Sequence, residues 1–252
     1  FMIKQDFHVH TTYSDGNNSP EEMILAAIDK GMAKIGISDH SYTWFDETYC
    51  VPKERIAEYK KEIAALREKY KDQIKVLCGV EQDYYSEEPT DDYDYVIGSV
   101  HYLKVDDGFA YVDESPELFQ KAIDESFGGD VYAFAEAYFA TVADVVNKTG
   151  ADIIGHFDLF TKFNEDVKGG RANLFFDPSH PRYVTAWKKA VDALLPSDKY
   201  FEINTGGMAS GRKTSPYPSV EIQNYIRLHG GKLLLSSDAH KAENLCFRFE
   251  EI

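Results

Sequence analysis

Two histidines one residue apart close the first apolar run of the chain, in His8-Val9-His10. Strand side chains alternate between faces, so residues i and i+2 project the same way and both imidazoles can reach one ion. Asp15 follows in the turn Tyr13-Ser14-Asp15-Gly16, close enough to fold back and add an oxygen. The same chemistry recurs after later β-rich runs: His40 after Ile35 to Asp39, Glu81 after Val76 to Val80, His101 after Val96 to Val100, and His156 after Asp152 to Gly155. Asp238 and His240 form a second i, i+2 pair near the end. Nine such groups exceed the four or five positions of one zinc ion, so two or three divalent ions are expected, with water or substrate in the open positions. Imidazole mixed with carboxylate suits zinc, iron or manganese and disfavours an all-oxygen calcium or magnesium cage.

Convergence of these groups requires a particular scaffold. Seven β-rich runs are expected, at Asp6 to Val9, Lys34 to Ile37, Ile74 to Val80, Tyr95 to Val100, Asp152 to Gly155, Tyr200 to Asn204 and Lys232 to Ser236. Most are followed by a helical pattern, the alternation that implies parallel strands with crossover helices. In a parallel barrel all strand C-termini share one face, where the loops build the active site. Only the run ending at Asn204 lacks a ligand-type group at its end. His180, in a Pro-flanked loop, and His229, beside Gly230, fall outside the pattern and read as structural or surface residues.

The helices carry their own signals. Ser19 can cap a helix with Pro20 at its first position and Glu22 three residues after the cap, ahead of Met23, Ile24, Ala27 and Ile28. Pro52 to Tyr70 reads as an amphipathic helix burying Ile56, Tyr59, Ile63, Leu66 and Tyr70. Further helices are expected over Pro116 to Ser126, Val131 to Thr149 and Tyr183 to Leu195, and from near Ser219.

A chain of 252 residues, 43% hydrophobic, can bury one substantial core, so a single domain over residues 1–252 is expected. Phe1, ahead of Met2, is set aside from the fold, and the chain is expected to continue beyond Ile252. No stretch approaches the roughly 20 apolar residues of a membrane span, and no signal peptide is legible. Cys50, Cys78 and Cys246 form no CxxC pair, which fits a reducing, cytoplasmic setting. The net charge of -16 repels polyanions, which argues against nucleic acid as a partner and favours a small ligand. Oligomeric state is left open by these features.

The motifs HVHTTYSDG at His8 to Gly16, SDH ending at His40, GVE ending at Glu81, SVH ending at His101, GHFD around His156 and SDAH ending at His240 resemble, in order, those of the polymerase and histidinol phosphatase (PHP) family, and within it the phosphatases acting on histidinol phosphate. The resemblance covers nearly the whole chain. It implies an α/β fold, a distorted seven-stranded (β/α) barrel of TIM-like form carrying a trinuclear metal site, and hydrolysis of L-histidinol phosphate in histidine biosynthesis. The segment Glu202 to Ser219 looks like the phosphatase segment after the sixth strand and makes Arg212 the candidate for gripping phosphate, since a guanidinium fork can hold two phosphoryl oxygens. Lys162 is a second candidate. Asp158 is expected to orient an imidazole or to protonate the leaving group. Tyr13, Tyr42, Tyr84 and Tyr102 are expected to wall the pocket, and Glu47 or Asp83 to meet a substrate ammonium. The rivals are a phosphoesterase acting on nucleotides, a non-catalytic metal-stabilised module, and an amidohydrolase-like enzyme that would not need Arg212.

Overall fold

The computed structural model describes residues 4–106 and 108–252, so Phe1 and Met2 lie outside the described residues. Seven strands form one parallel sheet in sequential order: β1 (Gln5–Asp6), β2 (Lys34–Ile37), β3 (Lys75–Asp83), β4 (Tyr95–Ser99), β5 (Ile153–Ile154), β6 (Tyr200–Asn204) and β7 (Lys232–Ser236). The first and last strands meet where an isolated parallel bridge pairs Val9 with Ala239. His10 N donates to Ala239 O at 2.9 Å and Ala239 N to His8 O at 3.1 Å, so the sheet curls into a nearly closed barrel whose seam is bonded at its C-terminal rim. All seven expected strands are present, but the first and fifth are short. β1 pairs over only two residues before the chain reaches the bridge.

Side-chain volume fills the barrel. Tyr95 on β4 crosses the interior, where its hydroxyl donates to Phe7 O at 2.6 Å. A Cβ on Gly36 would stand 2.2 Å from the Tyr95 hydroxyl oxygen and one on Gly79 2.3 Å from the ring, so strands β2 and β3 must carry glycine where the tyrosine crosses.

Outside the barrel, α1 (Pro20–Asp29) begins with the expected capping box: Glu22 N donates to Ser19 Oγ at 3.2 Å and Ser19 N to Glu22 Oε2 at 2.8 Å. In α2 (Ile56–Tyr70) the 3-4 spacing of Tyr59, Ile63, Leu66 and Tyr70 turns these side chains onto the barrel. A 3-10 turn over Lys53–Arg55 replaces its expected first turn. The helix expected over Val131 to Thr149 is two pieces, α3 (Val131–Ala143) and a short turn after Asp144. With α4 (Pro181–Leu194), α3 builds the largest apolar cluster, in which Phe134, Phe139, Phe157, Phe160 and Trp187 are fully buried. Each such side chain contributes about 1.5–3 kcal/mol by leaving water. α5 (Val220–Leu228) precedes the last strand, with Ser219 at its cap position.

Two antiparallel hairpins, Tyr102–Val105 with Gly108–Tyr111 and Glu165–Asp166 with Arg171–Ala172, interrupt the expected alternation. The first follows β4 as a separate two-stranded sheet. No helix among the described residues is long and apolar enough to cross a membrane.

Candidate metal centre

Every one of the nine predicted donors lies at the C-terminal rim of the barrel. His8 and His10 flank the seam bridge from one side, Asp238 and His240 from the other. Glu81, at the inner end of β3, stands in the middle. Its Oε2 is 3.0 Å from His8 Nε2, 3.3 Å from His10 Nε2 and 3.1 Å from His40 Nδ1, and its Oε1 is 2.9 Å from His156 Nε2 and 3.4 Å from His101 Nε2. Asp15 reaches the rim because its turn is pinned from below: the buried Asp39 carboxylate accepts from Thr11 N and Thr11 Oγ1, each at 2.7 Å, and from Ser14 Oγ at 2.5 Å. Asp15 then faces His40 Nε2 at 3.6 Å and His240 Nε2 at 3.3 Å.

The donors sort into four overlapping groups whose atoms lie within 4.8 Å of one another: His10, Asp15, His40 and His240; His8, Glu81 and His156; His8, His10 and Asp238; His40, Glu81 and His101. Whether these residues suit metal ions is tested by their unmet bonding capacity. His8 Nε2, both ring nitrogens of His10, Glu81 Oε2 and His156 Nδ1 are buried without a hydrogen bond. Close pairs such as His10 Nε2 and Asp238 Oδ1, 3.0 Å apart, therefore meet without hydrogen-bond alignment. Buried polar atoms left in this state cost several kcal/mol unless another partner satisfies them. Donors aimed at a shared point fit divalent ions.

The carboxylates of the centre are held ionised, and the imidazoles divide. Burial opposes ionisation of Glu81, yet His8, His40 and His101 around it hold the carboxyl well below its ordinary range. Burial is likewise outweighed at Asp238 by His8 and His10, leaving it ionised. His10 is pushed down to about 4, first by burial and then by His240 and His40, whose rings stack on it at 4.2 and 4.3 Å. His8, His40, His101 and His240 go the other way: against the effect of burial, the carboxylates around them raise all four, His240 to about 9, so an ion binding here would displace protons from those rings.

Two carboxylates set the rings from behind. Glu202 Oε1 lies 2.5 Å from His8 Nδ1, and its Oε2 accepts from His156 N at 2.7 Å. Asp83 Oδ1 lies 3.2 Å from His101 Nδ1. The expectation that Asp83 meets a substrate ammonium is therefore corrected, because it is buried and already engaged with His101 and with Tyr85 N. Glu47 is exposed and holds the Tyr42 hydroxyl at 2.5 Å, outside the pocket wall. Neither Glu202 nor Asp39 is legible as a site residue from the ends of strands. Asp39 could have been noticed as the carboxylate next to His40.

A cavity of about 360 Å³ opens over the centre, a volume suited to a small ligand. Larger cavities, of about 400 Å³ beside Trp187 and 690 Å³ beside Leu234, lack this converging set of donors. Arg212 and Lys162 both line the space above the centre, as the sequence suggests. The Arg212 guanidinium lies over the Phe163 ring at 5.7 Å, while Lys162 Nζ donates to Asp113 O at 2.8 Å and to Asp113 Oδ2 at 3.0 Å. Of the four expected tyrosines only Tyr102 lines it, and Tyr49 and Tyr217 take the other places. Tyr13 turns away because Glu58 and Glu62 of α2 accept from its hydroxyl. Tyr42 is committed to Glu47, and Tyr84 donates to Asp144 at 2.9 Å. Asp158 departs from both of its expected roles. It does not line the cavity and has no imidazole among its hydrogen-bond partners; its Oδ2 accepts from Ser219 N at 3.0 Å. Its carboxyl, pushed up to about 6 chiefly by burial, anchors the segment that carries Tyr217. His180 caps α4 and stacks on Tyr132 at 3.8 Å, and His229 packs on Tyr225, both away from the centre.

A barrel with metal-donor groups at its strand ends defines a class of metallohydrolase-like proteins, and the comparisons narrow it. Residues 6–206 match the PHP domain family, so the chain belongs to the PHP family. It is 29% identical to the "Probable histidinol-phosphatase" of Deinococcus radiodurans, over 98% of this chain and 90% of that one. It is 24% identical to the histidinol-phosphatase of Bacillus subtilis, over 99% and 98%. Among solved structures, a candidate histidinol phosphatase of Listeria monocytogenes superposes with a TM-score of 0.82 at 21% identity, covering 98% of this chain and 99% of that one. The histidinol phosphate phosphatase of Lactococcus lactis, solved with zinc, L-histidinol and phosphate, superposes at 0.68 with 23% identity, covering 95% and 87%.

Proposed function

We propose that this chain is a phosphatase that hydrolyses L-histidinol phosphate to L-histidinol and phosphate, with two or three divalent ions held by His8, His10, Asp15, His40, Glu81, His101, His156, Asp238 and His240. The observation that carries this reading is the convergence of the nine donors, seven of which line one small cavity together with Arg212 and Lys162 while His8 and His10 are buried. The full-length similarity to histidinol-phosphatases supports the choice of substrate. Zinc, iron and manganese all suit the donors, and the zinc in the Lactococcus lactis protein favours the first.

Bound there, such ions would supply an activated water nucleophile and offset charge on the phosphoryl oxygens. The chain's own residues do the rest. Glu202 and Asp83 fix the His8 and His101 rings through their Nδ1 atoms, which turns Nε2 of each towards Glu81. Arg212, which has no carboxylate partner among the described residues, offers two parallel N–H donors to the phosphoryl group, and Lys162, steadied by Asp113, adds a point charge. Tyr49, Tyr102 and Phe163 line the cavity around the leaving group.

The deciding experiment is phosphate release by the zinc- or manganese-loaded protein from histidinol phosphate, nucleoside monophosphates and p-nitrophenyl phosphate, with His10→Ala as control. Strong preference for histidinol phosphate, abolished in the variant, is expected. Preference for nucleotides would replace the substrate, and no turnover of any ester would leave a metal-stabilised module instead.

A further inference from the structure

Four charged side chains line the cavity besides the metal-donor groups: Asp113, Glu114, Lys162 and Arg212. Two neutralise each other in the Lys162–Asp113 ion pair at 3.0 Å. Among the described residues, Arg212 and Glu114 have neither an ion-pair partner nor a side-chain hydrogen bond. Beyond the metal centre the pocket thus presents one free cation and one free anion.

Glu114 is also held in place by backbone rather than left on a loose loop. Val112 N donates to His101 O at 3.0 Å, so the segment leaving the first hairpin is tied to a residue of the centre itself. Lys162 then clamps Asp113 through its backbone carbonyl and its carboxylate. The next residue is Glu114, exposed at the mouth. Apolar and aromatic side chains, Leu159, Phe163, Tyr49 and Tyr102, make up much of the remaining wall.

We propose that Glu114 is the residue that selects the leaving group, pairing with an ammonium carried close to the ester oxygen, so that the pocket takes zwitterionic aminoalkyl phosphates in preference to uncharged or further anionic phosphate esters. This rests on the phosphatase reading above, in which Arg212 and the ions take the phosphoryl end. Glu114 then meets the positive end of the same molecule. A nucleoside monophosphate brings no cation to it, and a nucleotide with further phosphates meets repulsion. Glu114 is asked to meet the ammonium and not the reacting phosphoryl group, so its contribution is uniform binding that appears in KM more than in kcat.

The test pairs substrates with variants of the metal-loaded enzyme. Histidinol phosphate is compared with its desamino counterpart, and phosphoethanolamine with ethyl phosphate, in wild type, Glu114→Gln and Glu114→Lys. A charge-assisted hydrogen bond gives the ammonium ester an advantage of about tenfold in kcat/KM in wild type. That advantage should fall towards one in Glu114→Gln through KM and reverse in Glu114→Lys, with the melting temperature of each variant close to wild type. An advantage that survives both substitutions, or no advantage in wild type for either pair, overturns the assignment to Glu114. An ammonium preference seen only with phosphoethanolamine and lost in Glu114→Gln would uphold Glu114 while removing histidinol phosphate as the substrate.

Discussion

Glu202 sits directly behind His8, its Oε1 2.5 Å from Nδ1, and both side chains are fully buried. The bond commits Nδ1 and leaves Nε2 as the only ring atom that can face the centre. Glu202→Gln preserves shape but weakens this hold and the ring's basicity. Metal affinity should fall by about 10–100-fold, read by competition with a chelating dye, while the fold measured by circular dichroism persists.

Arg212 is exposed and, among the described residues, its side chain has no hydrogen bond or ion pair, only the Phe163 ring beneath it. Arg212→Ala should therefore leave the melting temperature unchanged yet lower kcat/KM for a phosphate monoester by about 10²–10³-fold. Inhibition by inorganic phosphate should weaken in parallel. A variant as active as wild type would remove Arg212 from the site.

Chelation tests the unmet donors as a group. An ion that binds only the folded state stabilises it by about 2.7 kcal/mol at one hundred times its dissociation constant. For a domain of this size that corresponds to roughly 5–10 °C in melting temperature. The chelated protein should melt lower by that amount and recover on adding zinc or manganese, and identical melting curves would argue against metal at the rim.

Asp6, the last residue of β1, offers a pH test. Its carboxylate accepts from Ser237 N and Cys246 N, each at 3.0 Å, and burial raises its pKa from 3.8 to about 6 despite those bonds. A raised carboxyl favours the folded state while both forms are neutral, and that advantage is lost as pH climbs from about 4 through 6. In urea titrations of metal-free protein, wild type should lose up to about 1 kcal/mol per pH unit relative to Asp6→Asn across that window. A gap that does not change with pH would contradict it.

In the apolar cluster, Phe134 packs against Phe119, Phe127 and Phe160 at centroid distances of 5.2, 4.7 and 4.9 Å. Phe134→Ala should cost about 3–5 kcal/mol, read from the urea midpoint.

Much of this site could be read from residue types because its donors stand where strands end, and a two-residue period at His8/His10 and Asp238/His240 says which way they point. The seven runs and their parallel direction followed from the alternation of β-rich and helical segments. What lay beyond reading depends on contacts between distant segments. Glu202 is inside β6 rather than at its end, and its importance appears only when His8 arrives from the far side of the barrel. Tyr13 sits beside the HxH motif in sequence, but the acids of α2 draw its hydroxyl outward. Asp83 looked like a rim acid because its two-residue offset from Glu81 hides that His101 lies against it. The hairpin after His101 has only a weak turn signal, and with it went the position of Glu114.

The seam between the first and last strands carries a consequence for synthesis. Asp6 and its partner Ser237 are 231 positions apart, and His8 and His10 wait at one lip for Asp238 and His240 at the other. On the ribosome, an emerging chain already holds most of the donors, yet it cannot assemble the full set until the final strand has cleared the exit tunnel. The full donor set thus waits on the seventh strand: a product truncated before Ser237 would lose the seam bridge and the two groups that contain Asp238 or His240, and keep only the group of His8, Glu81 and His156 and that of His40, Glu81 and His101.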